Sequence, residues 1–292
     1  MRGRLAGRVT GAAFVAPVIL LLLLIAGFPL AYNIFNSFRY MVLTDPGTEH
    51  FVGLANYVRI VTSADFLQPL LRTALFTIVS VVLEMAAGIV LALVMHWPFR
   101  GRGLVRAAIL VPWAVPTVVS GMLWKTMFDP TNGFVDFTLA ALHLPGGNVS
   151  WLNGVWTSWV VLLVADAWKN TPFVAILLLA GLQIIPDDLY EQGRIDGAGA
   201  IRRFLYITLP MLKPAILVAL IFRTLQSFLI FDVIKVITGG GPGNATETLG
   251  FLNWKAFLVD TDFGYGGAIS VALVIVCLAI ALAYQRVLRP ST

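Results

Sequence analysis

Charge is what this sequence has least of. Of its 292 residues only 12% are Asp, Glu, Lys or Arg, whereas 59% are hydrophobic, and mean hydropathy is +0.87. A soluble domain wets its surface with roughly a quarter charged residues, so much of this chain's surface must face lipid. Cysteine is nearly absent: Cys277 stands alone in an apolar run, which excludes a disulfide framework. The three histidines, His50, His96 and His143, fall on separate connections without ligand spacing, so no metal site is expected. No Gly-Lys pair occurs anywhere, and a phosphate-cradling G-x-x-x-x-G-K-[ST] loop requires one. The chain is therefore expected to bind no nucleotide or other cofactor itself. G-x-S-x-G and H-E-x-x-H motifs are missing too, leaving no catalytic residue to name. The net charge of +5 includes no basic run of five or more, so nucleic acid is not an expected partner.

What the sequence does have is long apolar runs. A membrane-spanning helix needs about 20 such residues, because hydrocarbon cannot hydrogen-bond a free backbone. Six runs qualify, at about residues 11–35, 70–95, 105–128, 157–181, 211–236 and 268–288. The first follows "MRGRLAGR"; it exceeds a signal-peptide core and no A-x-A-like cleavage site follows, so it is expected to be a retained anchor. The expected fold is an all-α polytopic membrane protein with six transmembrane helices and lipid around it. The expected division is 1–68, holding the N-terminal tip, first helix and an external loop, and 69–288, holding the remaining spans as one membrane domain with the connection 182–210. The count of Lys and Arg sets the orientation. One side holds Arg2, Arg4, Arg8, Arg100, Arg102, Arg106, Arg194, Arg202, Arg203, Lys213, Arg286 and Arg289; the other holds Arg39, Arg59 and Lys255. Twelve against three places both termini, and 182–210, in the cytoplasm.

The connection 182–210 is polar where the chain is otherwise apolar. Pro186, Asp187 and Asp188 suit a helix start, proline by its fixed φ and the acids by the helix dipole. A short helix over about 187–196 is expected, with Gly197 and Gly199 taking positive φ at the turn out of it. A second amphipathic piece over 200–209 and the punctuation of Pro210 and Pro214 follow. Physics alone leaves two readings open: an interfacial helix on the headgroups, or a docking helix for a partner.

The spacing here is Glu191, Gln192, Gly193, three residues, Gly197, nine residues, then Ile207, Leu209 and Pro210. It resembles the EAA loop of the inner-membrane permeases of bacterial binding-protein-dependent ABC importers, EAA-x3-G-x9-I-x-LP. Gln192-Gly193 replaces the usual two alanines. The stretches "FVGLANYVRIV", "RGRGLVRAAILVPWAVPTVVSGMLWKTMFDP", "WKNTPFVAILLLAGLQIIPDDLYEQGRIDGAGA", "ITLPMLKPAILVALIFRT" and "FDVIKVITGGGPGNATETL" are similar to the carbohydrate-uptake branch, with its MalF-like six-helix subunit. The resemblance implies a type I ABC importer permease fold in a bacterial plasma membrane. It also implies a second homologous permease chain, two ABC ATPase subunits that hold ATP and Mg inside, and an extracytoplasmic solute-binding protein. By the same resemblance Asp187, Asp188, Leu189, Tyr190, Glu191, Gln192, Gly193, Arg194, Asp196, Gly197 and Ala198 form the coupling helix and turn that seat in an ATPase groove.

Charges inside spans are costly and face a bundle interior or a wet cavity. Asp166 with Lys169, and Asp232 with Lys235, stand three apart and are expected to form ion pairs along the fourth and fifth spans. Glu84 is expected to hold a helix contact. Arg223, Gln226 and Ser227 make one polar stripe on the fifth span, and Trp113, Thr117, Ser120 and Trp124 share one face of the third. A sugar needs hydrogen-bonding partners and flat apolar surfaces, so Trp124, Trp168, Asn170, Arg223, Gln226 and Ser227 are the candidate pathway residues; Trp113 is read as helix packing. On this reading Arg223→Ala impairs transport and leaves assembly intact. Two functions from different classes follow: a permease that moves a disaccharide or oligosaccharide on ATP hydrolysed by its partners, or an ATP-independent channel or secondary transporter for a small polar solute.

Overall fold

The computed structural model of the chain describes residues 14–146 and 149–287. Arg2, Arg4, Arg8 and Arg289, residues 11–13 of the first apolar run and residue 288 of the last lie outside the described residues. Five described helices are long and apolar enough to cross a membrane, and a bent pair makes a sixth crossing if counted as one span. The chain divides into two compact units: residues up to Ala64 with Asn253–Ile275, and Asp65–Leu252 with Val276 onward.

In the first unit, helix α1 (Phe14–Ser37) is apolar on every side and buries none of its most apolar stretch, the composition of a helix surrounded by lipid. A two-stranded hairpin follows, β1 (Arg39–Tyr40) against β2 (His50–Phe51), then helix α2 (Ala55–Thr62). Asn56 ties these pieces together, its Nδ2 donating to the carbonyls of Ser37 at 2.9 Å and Arg39 at 3.0 Å. Arg59 bonds Asp262 at 3.2 Å and lies 3.9 Å over the Tyr265 ring.

The second unit holds most of the long helices. Helix α3 (Ala64–His96) is followed by the bent pair α4 (Arg102–Ala114) and α5 (Thr117–Met127), and then by the short α6 (Phe134–Ala141). Next come α7 (Val155–Leu182), α8 (Asp187–Ile195), the continuous α9 (Ala200–Phe228) and the short α10 (Asp232–Ile237). Helix α11 (Leu249–Leu258) and the last span α12 (Phe263–Val287) each run across the division between the units. Val81, Met85 and Ala92 of α3, Val174, Leu178 and Leu182 of α7, and Leu212 and Ala219 of α9 form the buried core. In lipid there is no water to expel, so this core holds by close dispersion contact and small residues set how near the helices come. A Cβ built on Gly88 would lie 2.5 Å from Val174 Cγ1, and one on Gly181 2.6 Å from the Ala215 Cβ.

Two expected spans are corrected. The run 105–128 is one span in the sequence reading, but α4 and α5 meet at 91°. Val115, preceding Pro116, is extended (φ −68°, ψ 131°), because a residue before proline is driven out of the helical region. Trp113 and Trp124 therefore lie on different helices rather than on one face. The run 211–236 is likewise shorter: α9 ends at Phe228, and Asp232 and Lys235 belong to α10, which packs against α5 and α7. At its other end α9 begins earlier than expected. Residues 200–209 are not a separate piece but its first turns, widened to a π-turn over Phe204–Thr208 ahead of Pro210. The wider turn absorbs the missing proline N–H.

Gly88→Val would force α3 and α7 apart. Overpacking of this kind costs about 1–3 kcal/mol, so the expected result is a lower melting temperature for the detergent-purified protein. Ala87→Val, on an exposed neighbouring position, is expected to leave melting unchanged.

Candidate functional site

Three spans each bring one charged side chain to a common point. Arg223 on α9 is 2% exposed and Glu84 on α3 is wholly buried. The guanidinium grips Glu84 through both carboxylate oxygens, Nε to Oε2 at 2.5 Å and Nη2 to Oε1 at 2.6 Å. Nη2 also reaches Asp166 Oδ2 on α7 at 3.3 Å, and Nη1 donates to Gln226 Oε1 at 2.8 Å. Ser80 Oγ lies 2.6 Å from Asp166 Oδ2, and Asn170 Nδ2 donates to Asp166 Oδ1 at 2.7 Å. One cation thus serves two carboxylates from two other helices, and neutral donors fill their remaining lone pairs. The expected Asp166–Lys169 pair is replaced: Asp166 turns to Arg223, while Lys169 Nζ donates to the Val115 carbonyl at 2.5 Å. That carbonyl is one that the break between α4 and α5 frees, so Lys169 satisfies a backbone group that hydrocarbon could not. Glu84 does hold a helix contact, and its partner is Arg223.

Beside this network lies a cavity of about 670 Å³. Its wall includes the Trp113 indole, the helix break Val115–Thr117, Lys169, Asn170, Arg223, Gln226 and Asp232. Of the six pathway residues named from the sequence, Asn170, Arg223 and Gln226 line it. Trp168 instead borders an apolar groove with Leu83, Ala87 and Pro172, and Trp124 meets it edge-on, ring centroids 6.0 Å apart. Ser227 is buried, its hydroxyl has no partner among the described residues, and it is not in the cavity wall. Trp113, read as packing, is in the wall, as is Lys169. The signal for both was available in Pro116, since a proline-broken span exposes polar backbone that must be met by something.

The second feature is α8. Asp187 and Asp188 occupy its first turn, complementing the dipole. Its end is a Schellman turn: Gly197 has φ +73°, its N–H bonds the Arg194 carbonyl at 3.1 Å, and the Ala198 N–H bonds the Gly193 carbonyl at 2.8 Å. Gly199, expected at positive φ, is extended (φ −64°, ψ 171°) and starts α9; one left-handed residue suffices for the turn. Leu189 and Tyr190 are half-buried, and Tyr190 Oη lies 3.0 Å from Thr208 Oγ1 on α9. Glu191, Gln192, Arg194 and Asp196 face outward, and Ile195 is 85% exposed. Gly193 is buried against α9, where a Cβ would stand 3.0 Å from Ile207 Cδ1 and 3.3 Å from Arg203 Cγ. The Gln192-Gly193 departure therefore divides: Gln192 changes the exposed face, and Gly193 sets the seat of α8 on α9.

A bundle of membrane-spanning helices with a charge network beside a polar cavity, and an ordered polar helix clasped to a span end, is the architecture of a transport subunit. The chain belongs to the family described as the binding-protein-dependent transport system inner membrane component, which matches residues 84–292. It is 42% identical to the trehalose/maltose transport system permease protein MalF of Thermococcus litoralis, over 82% of this chain and 80% of that one. The trehalose transport system permease protein SugA of Mycobacterium tuberculosis is 38% identical over 95% of this chain and 87% of its own. The sulfoquinovosyl glycerol transport system permease protein SmoG of Agrobacterium fabrum is 35% identical over 98% and 92%. Among solved structures, a bacterial ABC transporter involved in import of the acidic polysaccharide alginate superposes with a TM-score of 0.84, covering 99% of both chains at 22% identity. The fold is that of a type I ABC importer permease.

Arg223→Ala would leave Glu84 and Asp166 buried without their cation. Removing one member of a buried ion pair costs about 3–5 kcal/mol, so loss of folded, assembled protein is expected. This replaces the expectation that the variant assembles normally. The double variant Arg223→Ala/Glu84→Ala is expected to recover part of the loss, because one orphaned charge goes with its partner. Thermal melting of the three proteins in detergent checks both statements.

The two glycines of α8 are expected to separate cleanly. Gly197→Ala puts a side chain at φ +73°, costing about 1–2 kcal/mol and loosening the turn. In Gly193→Ala the tightest neighbour is the tip of the Ile207 side chain, with the Arg203 stem next, and a helix-propensity gain of about 1 kcal/mol offsets the contact. Melting of the purified protein should fall for the first variant and hold for the second.

Proposed function

We propose that this chain is one permease subunit of a bacterial ABC importer for a sugar, a disaccharide or oligosaccharide of the kind its relatives are named for. It works beside a second homologous permease chain, with two ABC ATPase subunits inside and a solute-binding protein outside. It catalyses no reaction of its own and binds no nucleotide; ATP and Mg belong to the ATPase subunits. Both termini lie in the cytoplasm of a multi-pass protein in the plasma membrane, in line with the Lys and Arg count.

One observation carries the reading: α9 touches both features of the site. Near its start, Ile207 and Thr208 hold α8; near its end, Arg223 and Gln226 line the cavity. Fifteen residues separate Thr208 from Arg223, about 22 Å of helix at 1.5 Å per residue. An α-helix transmits an axial push or tilt because its backbone bonds are all internal. ATPase closure that shifts α8 therefore shifts Arg223, and with it the carboxylates of α3 and α7. In the cavity, Asn170 and Gln226 offer amide groups, Thr117 a hydroxyl and Trp113 a flat apolar face. This is what a sugar's hydroxyl rim and C–H face require.

The test is the ATPase activity of the assembled importer, reconstituted with its binding protein and titrated with sugars. Gln226→Ala is expected to raise the half-maximal sugar concentration about five- to tenfold, the equivalent of one hydrogen bond of about 1 kcal/mol. Glu191→Ala, on the exposed face of α8, is expected to lower ATPase co-purification and sugar-stimulated hydrolysis together. Sugar flux through this chain without any ATPase would instead establish the channel or secondary-transporter reading.

A further inference from the structure

A second cavity, of about 690 Å³, opens where α3 and α7 end, beside α8 and the first turns of α9. The network around Arg223 and the proposed sugar path make no use of it. Its lining is of two kinds: Leu93, Leu182 and Phe204 are apolar, and His96, Arg194 and Arg203 are basic side chains, with Asp187 as the single acid among the described lining residues. Trp97, in the same wall, is 71% exposed. Tryptophan at a span end marks the headgroup level of the bilayer, so this cavity sits where hydrocarbon gives way to phosphate.

Arg203 is the residue that asks for a ligand. Its stem packs on Gly193, its guanidinium is part of the cavity wall, and its buried Nε has no hydrogen-bond partner among the described residues. A buried guanidinium nitrogen without an acceptor is costly, and Arg203 leaves it so while a second arginine stands in the same wall. A carboxylate would satisfy it, but among the described residues Asp187 is the only acid that lines the cavity. A basic pocket at the span ends, on the side the proposed orientation makes cytoplasmic and with apolar side chains in its wall, has the chemistry of an anionic lipid seat.

We propose that this cavity binds the headgroup of an anionic phospholipid, its phosphate on Arg203 and Arg194 and the start of an acyl chain along Leu93, Leu182 and Phe204. The lipid then wedges between the end of α3 and the α8–α9 clasp. The angle at which α8 is presented to its partner becomes sensitive to membrane composition.

The assembled importer, purified in mild detergent, is examined by native mass spectrometry after titration with phosphatidylglycerol or phosphatidylcholine. The wild type is expected to retain phosphatidylglycerol in preference to phosphatidylcholine. Arg203→Gln is expected to weaken that retention about tenfold or more, the loss of one charge-assisted contact to phosphate. Arg203→Lys, which keeps charge and stem, should recover most of it. Arg202→Gln, on an exposed neighbour outside the cavity, should retain lipid like the wild type. Equal losses for Arg202→Gln and Arg203→Gln would overturn the proposal, as would unchanged retention in Arg203→Gln. Displacement of phosphatidylglycerol by millimolar inorganic phosphate would assign the seat to a free anion. Loss of the ATPase subunits with lipid retention intact would assign Arg203 to a protein carboxylate. None of these results bears on the sugar titration, so the two readings fail separately.

Discussion

A single guanidinium decides how the transport half of this chain is put together. Arg223 binds Glu84 from α3 and Asp166 from α7 at once, and all three are carried on membrane-spanning helices. In water such a cluster is worth little, because solvent competes for each charge. Inside a bilayer the alternatives are far worse, since no orphaned carboxylate finds a partner in hydrocarbon. The apolar contacts of Val81, Val174 and Leu212 hold the helices near one another but do not fix their rotation or height, because lipid chains would serve those surfaces almost as well. The ion cluster does fix them. It leaves one geometry in which three helices meet, and the cavity beside it inherits that geometry.

Proline supplies the departures from straight helix that make the cavity possible. Before Pro29 and before Pro210 the helix widens to a π-turn, over Leu23–Gly27 and Phe204–Thr208 respectively, and then continues. At Pro116 it breaks through 91° instead. Proline removes the same donor each time, so local chemistry does not distinguish the outcomes. What differs is the partner of the freed backbone: the Val115 carbonyl is taken by Lys169, which makes the open form of the break tolerable in the membrane. The residue that stabilises the break also lines the cavity the break creates.

Much of this was legible in the sequence, and the failures have a common cause. Spans defined by continuous apolar runs, α3, α7 and α12, contain nearly all of the expected runs, α7 within two residues and α3 and α12 starting six and five residues early, because hydrocarbon thickness constrains them directly. The EAA spacing located α8 and its left-handed Gly197, since helix start and Schellman stop are local signals. Pairing was not local. Asp166 stands three residues from Lys169, yet each found a stronger partner on another helix, and i,i+3 proximity carries only a few tenths of a kcal/mol against that. The supposed face of Trp113, Thr117, Ser120 and Trp124 failed because helical periodicity was carried across Pro116. Asn170, Arg223 and Gln226 line the cavity as their polarity within spans suggested; Trp168 and Trp124 meet edge-on instead.

The replacement of two alanines by Gln192 and Gly193 acquires a physical meaning from this arrangement. A short helix packed on the end of a span is only as rigid as the contacts that hold it to its own chain. Here α8 is held by the Tyr190–Thr208 contact, the Schellman turn, and the close approach of Gly193 to Ile207 and Arg203. Alanine at 193 would stand α8 slightly off α9, whereas glycine lets the backbone settle onto the Ile207 side chain. The intrinsic helix penalty of glycine, about 1 kcal/mol, is offset by that contact and by the turn that begins at its own carbonyl. Gly193 therefore tightens the seat, while Gln192, one position earlier on α8, is exposed and takes no part in it.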